Sequence, residues 1–205
     1  EEKFGDTQNN YPSFEDVAYI SYTSGSTGEP KGGMSQHQSM HTHLRAKIAD
    51  LQLSKKDKVG QTVSQSFDVS VWQFVCPLMI GSQIVVINDD QILDPIDFGE
   101  CIYINKVTIL GTVPSLLSVL LDGVESNIDL RNKLQSIRTL LLIGEPFTTI
   151  LYKRWIKHFP KTLVINAYGP TECADAVTHH SAINNDYASN TLPINGTIQN
   201  MSLYI

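Results

Sequence analysis

The 205-residue sequence predicts an α/β fold, layered, with largely parallel β-sheets packed with helices. Three observations predict it. Short apolar runs such as SQIVVIN, VTILGTV and RTLLLIG recur along the chain and suit buried strands. Segments with apolar residues three to four apart lie between them, which is the helical period. A composition of 41% hydrophobic and 18% charged residues supplies a core for both.

The elements follow in order. EEKFGDTQNNYP, at the start, is a polar lead-in. DVAYISY (16–22) is a β-branched and aromatic strand that runs into a glycine-rich loop. SQHQSMHTHLRAKIADLQL (35–53) is a helix, with Met40, Leu44, Ile48 and Leu51 on one face and Lys55-Lys56-Asp57 closing it in a solvated turn. KVGQTVS (58–64) is a strand. SFDVSVWQFVCPLMIG (66–81) is a helix capped at Ser66 or Asp68 and broken near Pro77 and Gly81. SQIVVIN (82–88) is a strand buried on both faces. Further strands are predicted at 107–113, 138–144 and TLVINAY (162–168), and helices at PSLLSVLLDG (114–123) and TTILYKRWIKHF (148–159). No repeat, low-complexity tract or internal domain boundary interrupts residues 1–205.

Charge and cysteine usage narrow the function. A net charge of −6 argues against a general nucleic-acid or membrane-surface binder, so any phosphate affinity must be local. Cys76, Cys101 and Cys173 are odd in number and lack CxxC spacing, as expected of thiols in a reducing compartment. The triplets Asn195-Gly196-Thr197 and Asn200-Met201-Ser202 match a glycosylation pattern that is common by chance. The longest apolar stretch, VTILGTVPSLLSVLL, is broken by Pro114 and too short to span a bilayer. The chain starts without methionine and stops at SLYI, as expected of a segment of something longer.

Residues 22–33 read YTSGSTGEPKGG. A strand, such a loop and then a helix form a phosphate cradle: glycines expose amides, hydroxyls add donors and Lys31 adds positive charge. A Walker loop needs G-x-x-x-x-G-K-[ST]; here Gly25 and Gly28 are three apart and Lys31 follows Pro30, so that motif is excluded. By composition alone, a flexible linker fits equally well.

The wider pattern decides between them. AYISYTSGSTGEPKG (18–32) resembles the signature of the adenylate-forming superfamily, which includes the adenylation domains of nonribosomal peptide synthetases, acyl-CoA synthetases and luciferases. NAYGPTE (166–172) resembles its next nucleotide motif, and LIGEPF (142–147) its turn beside adenine. SFDVSVWQFVCPL (66–78) resembles the amino-acid-binding segment of the peptide-synthetase branch, and PINGTIQNMSLYI (193–205) the segment that follows. The five segments stand in the family's order and cover nearly the whole chain, so residues 1–205 are read as part of that family's large N-terminal subdomain.

The resemblance implies a reaction of ATP with a carboxylic acid, giving an acyl-adenylate and pyrophosphate, in which catalysis rests on positioning and charge stabilisation. It implies that Thr23, Ser24, Gly25, Ser26, Thr27 and Gly28 hold the β- and γ-phosphates, while Lys31 balances their charge or anchors the loop to a carboxylate. Tyr168 would stack on adenine, Asn166 would bond its edge, and Gly144 and Gly169 would flank it. Thr171 would donate to the α-phosphate and Glu172 would bind Mg²⁺, these two being the catalytic pair. Without the resemblance, 166–172 reads as a capped strand-to-helix turn.

Asp68 and Trp72 share a helix face. The resemblance gives Asp68 the substrate's α-ammonium group, and a simple N-cap is the alternative. Val69, Trp72, Gly111, Leu141, Ile143, Ala167, Asp175 and Ala176 would line the side-chain pocket. Asp175 would be an unpaired acid there, which points to a polar or basic substrate side chain. His37, His41, His43, His179 and His180 lack ligand spacing and read as solvated residues, with His37 packing after the loop. Departures from the family pattern stand at Gly33, Gln38, Gln73 and Ile143, and Ile143 would narrow the pocket.

The implied product is an aminoacyl-adenylate, destined for a phosphopantetheine thiol on a carrier domain, beside condensation domains in a cytoplasmic synthetase. The family's ribose-binding acidic motif, hinge and lysine-bearing C-terminal domain are not among these residues, so the isolated piece is expected to be inactive. An acyl- or aryl-CoA synthetase and a degenerate, non-catalytic nucleotide-binding module are the alternatives.

Overall fold

A computed structural model describes residues 11–23, 28–183 and 187–204. The chain opens with an antiparallel pair, β1 (Val17–Thr23) and β2 (Lys31–Gln36), then α1 (His37–Asp50). There follow β3 (Lys58–Gln61), α2 (Val69–Ile80), β4 (Gln83–Val86), α3 (Asp89–Leu93), α4 (Pro95–Asn105) and β5 (Ile109–Thr112). The remainder is α5 (Pro114–Ser126), α6 (Ile128–Lys133), β6 (Thr139–Leu142), α7 (Thr149–His158), β7 (Leu163–Tyr168) and β8 (Thr178–Ala182), with a 3₁₀ turn at Thr171–Cys173. The main sheet has the order β4-β3-β5-β6-β7-β8; it is parallel except that β8 runs antiparallel to β7. This is the α/β arrangement that the alternating pattern predicts.

Side chains alternate across the sheet and build a core on each face. Leu110, Leu140, Leu142 and Val164 pack under α4, α5 and α7 with Phe98, Leu117 and Trp155. Ile109, Leu141, Ile143 and Ile165 face α1 and α2, where Leu44, Trp72 and Cys76 meet them.

Several local expectations need correction. The glycine-rich loop joins two antiparallel strands rather than a strand and a helix, because residues 31–36 (KGGMSQ) pair with β1 from Thr23↔Lys31 back to Val17↔Gln36. Pro77 does not break α2: the helix runs to Ile80 and stops at Gly81, where a φ of +70° and Ser82 N donating to Pro77 O at 2.9 Å close it. β4 is an edge strand, so its outer residues Gln83 and Val86 are exposed rather than buried on both faces.

Asp57, expected in a solvated turn, is instead buried. Its oxygens accept from Ser54 N and Oγ, Thr108 Oγ1, and Arg138 Nε and Nη2, all at 2.7–2.8 Å. Arg138 also donates to Leu51 O and Gln52 O at the end of α1. Burial opposes ionisation of Asp57, but Arg138, Ser54 and Thr108 outweigh it and hold the carboxyl well below the usual range. This network staples the entry edge of β3, β5 and β6. The opposite edge, at the strands' carboxyl ends, is left for a site.

Candidate active site

The parallel strands β3, β5, β6 and β7 end in residues that line one of two joined clefts. The larger, about 570 Å³, is walled by residues after β3 (Thr62–Ser64), by the start of α2, by Thr112 and Val113 after β5, by Ile143–Glu145 after β6, and by Gly169–Thr171 after β7. The smaller is a slot of about 320 Å³ lined by Pro146, Phe147, Asn166, Ala167, Tyr168, Leu192 and Ile194. Gly144, Glu145 and Gly169 belong to both. Gly144 turns the chain between them at φ +89°. Gly169 packs too tightly for any side chain, since a Cβ there would lie 2.5 Å from Ala176 Cα.

In the slot, Tyr168 presents a half-exposed ring. Asn166 Nδ2 donates to Pro193 O at 2.8 Å and Leu192 O at 3.4 Å, which leaves its Oδ1 as the group free to accept from a ligand. Glu145 does not point freely into either cleft: its carboxylate accepts from Ser115 N at 2.9 Å and Ser115 Oγ at 2.7 Å, fixing the start of α5.

In the larger cleft, Asp68 begins α2. One oxygen, Oδ1, accepts from Val69 N at 2.8 Å, while Oδ2 is buried without an ion pair among the described residues. Burial and the nearby Asp175 push the Asp68 carboxyl up, against hydrogen bonding from Thr171. Asp68 is therefore a helix start whose carboxylate meets no cation among the described residues.

Asp175 is not the unpaired acid that the sequence suggests. Its Oδ2 lies 2.9 Å from His43 Nε2 and 3.4 Å from Lys47 Nζ, and all three side chains are buried. Burial alone would raise its pKa, yet Lys47 and His43 hold it below the usual range. Lys47 escaped the sequence reading and His43 was expected to be solvated, although their four-residue spacing on α1 puts them on one face.

Of the predicted side-chain pocket, Asp68, Val69, Ile143 and Asp175 line the larger cleft, and Ala167 lines the slot instead. Trp72, Gly111, Leu141 and Ala176 lie behind the wall in the core, because the Trp72 indole occupies the face of Gly111 where a Cβ would stand. Thr62, Val63, Phe67, Thr112, Val113, Leu116 and Pro170 line the cleft without having been singled out by sequence. Gln73 holds part of that wall: its Oε1 accepts from Thr62 N and Val63 N at 3.2 Å, and Nε2 donates to Gly111 O at 3.0 Å.

Thr171 borders the larger cleft, while Glu172, next in sequence, lines a neighbouring depression with Ser35, Gln38 and His43. Glu172 is exposed and makes no hydrogen bond or ion pair to a described residue. The hairpin reaches this turn: a methyl on Gly33 would stand 3.9 Å from Thr171 Cγ2. Thr23 and Lys31 pair at the hairpin's end and Gly28 has φ +87°; Ser24, Gly25, Ser26 and Thr27 lie outside the described residues. No ion pair joins Lys31 to a described carboxylate.

The remaining titratable groups belong to packing. His43 and His179 are buried rather than solvated, and His179 Nδ1 sits 2.6 Å from Asp50 Oδ2. Burial and Lys47 bring the His179 pKa down to about 4. Burial pushes the Cys76 thiol up to about 12. Among the described residues no group of three or more His, Cys, Asp or Glu could hold a metal ion, and no helix is long and apolar enough to cross a membrane.

An open, mainly parallel sheet with two joined clefts along the carboxyl edge of its strands defines an α/β ligand-binding domain. The family model described as AMP-binding enzyme matches residues 1–205, and the chain belongs to that family of adenylate-forming ligases. It is 35% identical over 191 residues to gramicidin S synthase 1 of Brevibacillus brevis and 36% identical over 191 residues to tyrocidine synthase 2 of Brevibacillus parabrevis. Each match covers 93% of this chain but only 16% and 5% of those relatives. Among solved structures, the Vibrio cholerae adenylation domain AlmE in complex with glycyl-adenosine-5'-phosphate superposes with a TM-score of 0.81 at 28% identity, covering 91% of this chain and 34% of that one. The nonribosomal peptide synthetase FmoA3 in its AMPPNP-bound form gives 0.80 at 27% identity, covering 90% and 19%.

Proposed function

We propose that this chain is the nucleotide- and substrate-binding core of an amino-acid-activating adenylation unit. In the proposed reaction the amino acid's carboxylate attacks the α-phosphorus of ATP, pyrophosphate leaves, and the aminoacyl-adenylate passes to the phosphopantetheine thiol of a carrier domain. The similarity to peptide synthetases supports this reading, as does a neighbour whose title names glycyl-adenosine-5'-phosphate.

One observation carries it. Asp68 is a largely buried carboxylate with Thr171 beside it and no ion pair to any described cation, in a cleft that joins an apolar slot. A carboxylate left so is unfavourable unless a cation meets it, and an α-ammonium group supplies that cation. A fatty or aryl acid offers none, which sets the CoA-synthetase alternative lower.

The residues fit ATP and Mg²⁺. The slot suits a purine: Tyr168 would stack against it and Asn166 Oδ1 would accept from its amino group, with Gly144 and Gly169 beside it. Mg²⁺ favours one or two carboxylates plus phosphate oxygens, and Glu172, exposed, beside Thr171 and without an ion pair among the described residues, would supply one. When bound, the ion would offset charge on the phosphates. Thr171, beside Asp68 and Gly33, would donate to the α-phosphate, and Lys31 with the 24–27 loop would hold the outer phosphates. The test is amino-acid-dependent exchange of labelled pyrophosphate into ATP by the full-length protein. Exchange that appears only with an amino acid supports the proposal, and its absence across all amino acids rejects it.

A further inference from the structure

We infer that Lys47 and His43 are specificity-determining residues, which neutralise Asp175 from behind the cleft wall and restrict the substrate to an amino acid with an uncharged side chain. The inference rests on the activity proposed above and names its substrate class.

Lys47 is wholly buried, and its nearest described charge partner is Asp175; the ring of Trp72 lies 5.5 Å from its Nζ. An ammonium so placed needs a countercharge. His43 adds a second contact from the same face of α1. A basic substrate side chain reaching Asp175 would have to share that one carboxylate with Lys47, leaving two buried cations against a single acid. An acidic side chain would meet Asp175 and Asp68 together. Asp68 has no ion pair among the described residues, but a substrate's α-ammonium uses it. Uncharged groups remain compatible with the wall formed by Val69, Val113, Leu116, Ile143 and Thr112, and the carboxylate of Glu145, the other acid on this cleft, is engaged by Ser115 N and Oγ. The buried Thr112 Oγ1 has no partner among the described residues and offers a neutral hydrogen-bonding point.

The experiment is pyrophosphate exchange by the full-length protein across a panel of aliphatic, hydroxylated, acidic and basic amino acids, the last including ornithine and lysine. An uncharged amino acid should exceed every charged one by at least ~10-fold. Preference for a charged side chain overturns the inference and leaves adenylation standing. No exchange with any amino acid overturns adenylation and the inference together. In the His43→Leu/Lys47→Leu protein, the ratio of lysine or ornithine exchange to that of the preferred neutral amino acid should rise by about tenfold or more. An unchanged ratio in a folded variant overturns the inference. Lys47→Leu/Asp175→Leu, which removes both charges of the buried pair, keeps the test open should the first variant fail to fold. It should retain the neutral preference, and a shift toward charged substrates would contradict the assignment.

Discussion

Arg138 grips Asp57 at two points, Nε to Oδ1 at 2.7 Å and Nη2 to Oδ2 at 2.8 Å, across a sequence separation of 81 residues. The pair ties α1, β3, β5 and β6 together at the edge of the sheet opposite the clefts. Arg138→Met should lower stability by about 2 kcal/mol, less than for a fully buried pair because the guanidinium is partly exposed. Urea denaturation checks it.

The same pair fixes a pH dependence. The Asp57 carboxyl is held below its unfolded value of about 3.9, so its stabilisation is complete above that pH and is lost as pH falls through the folded value. Wild type should therefore lose stability progressively below about pH 4, and Asp57→Asn, less stable at neutral pH, should show a flatter decline. Equal slopes in thermal melts from pH 5 to pH 2 would contradict this.

Two glycines should respond differently to the same change. At Gly144 a Cβ would meet only Val113 Cγ1 at 3.7 Å, so Gly144→Ala should cost about 1 kcal/mol of backbone strain at positive φ. At Gly169 a Cβ would lie 2.5 Å from both Ala176 Cα and Asp175 O, backbone atoms that cannot swing aside. Gly169→Ala should destabilise by several-fold more and weaken ATP binding, as read by thermal melts with and without nucleotide.

Gln73 supports the cleft wall without reaching the cleft. Gln73→Leu leaves Thr62 N and Val63 N without their acceptor and Gly111 O with Thr62 Oγ1 alone, a loss of about 1–3 kcal/mol. The loosened wall should raise KM for the amino acid more than KM for ATP, which steady-state exchange kinetics would separate.

Much of this molecule is legible in its sequence. The strands at 107–113, 138–144 and 162–168 are short apolar runs that the sheet buries on both faces, and the motifs at 66–78, 142–147 and 166–172 fall at its carboxyl edge. β2 was not legible, because KGGMSQ has no strand composition of its own and is a strand only through pairing with β1. α4 carried a readable signal: Asp94 before Pro95 caps it, accepting from Ile96 N at 2.7 Å. The charge state of Asp175 was not legible, because its partners lie more than 120 positions away on α1 and only folding brings them within 4 Å. Local patterns encode elements, whereas compensation of a buried charge is a tertiary fact.

The α-ammonium contact proposed for Asp68 is tested most directly by giving the full-length protein its preferred amino acid and, in parallel, the same acid lacking the α-amino group. Pyrophosphate exchange should occur with the amino acid, fall roughly 10²–10³-fold in kcat/KM with the deaminated analogue, and fall similarly for Asp68→Ala with the amino acid. Equal exchange with both acids, unaffected by Asp68→Ala, would contradict the central claim.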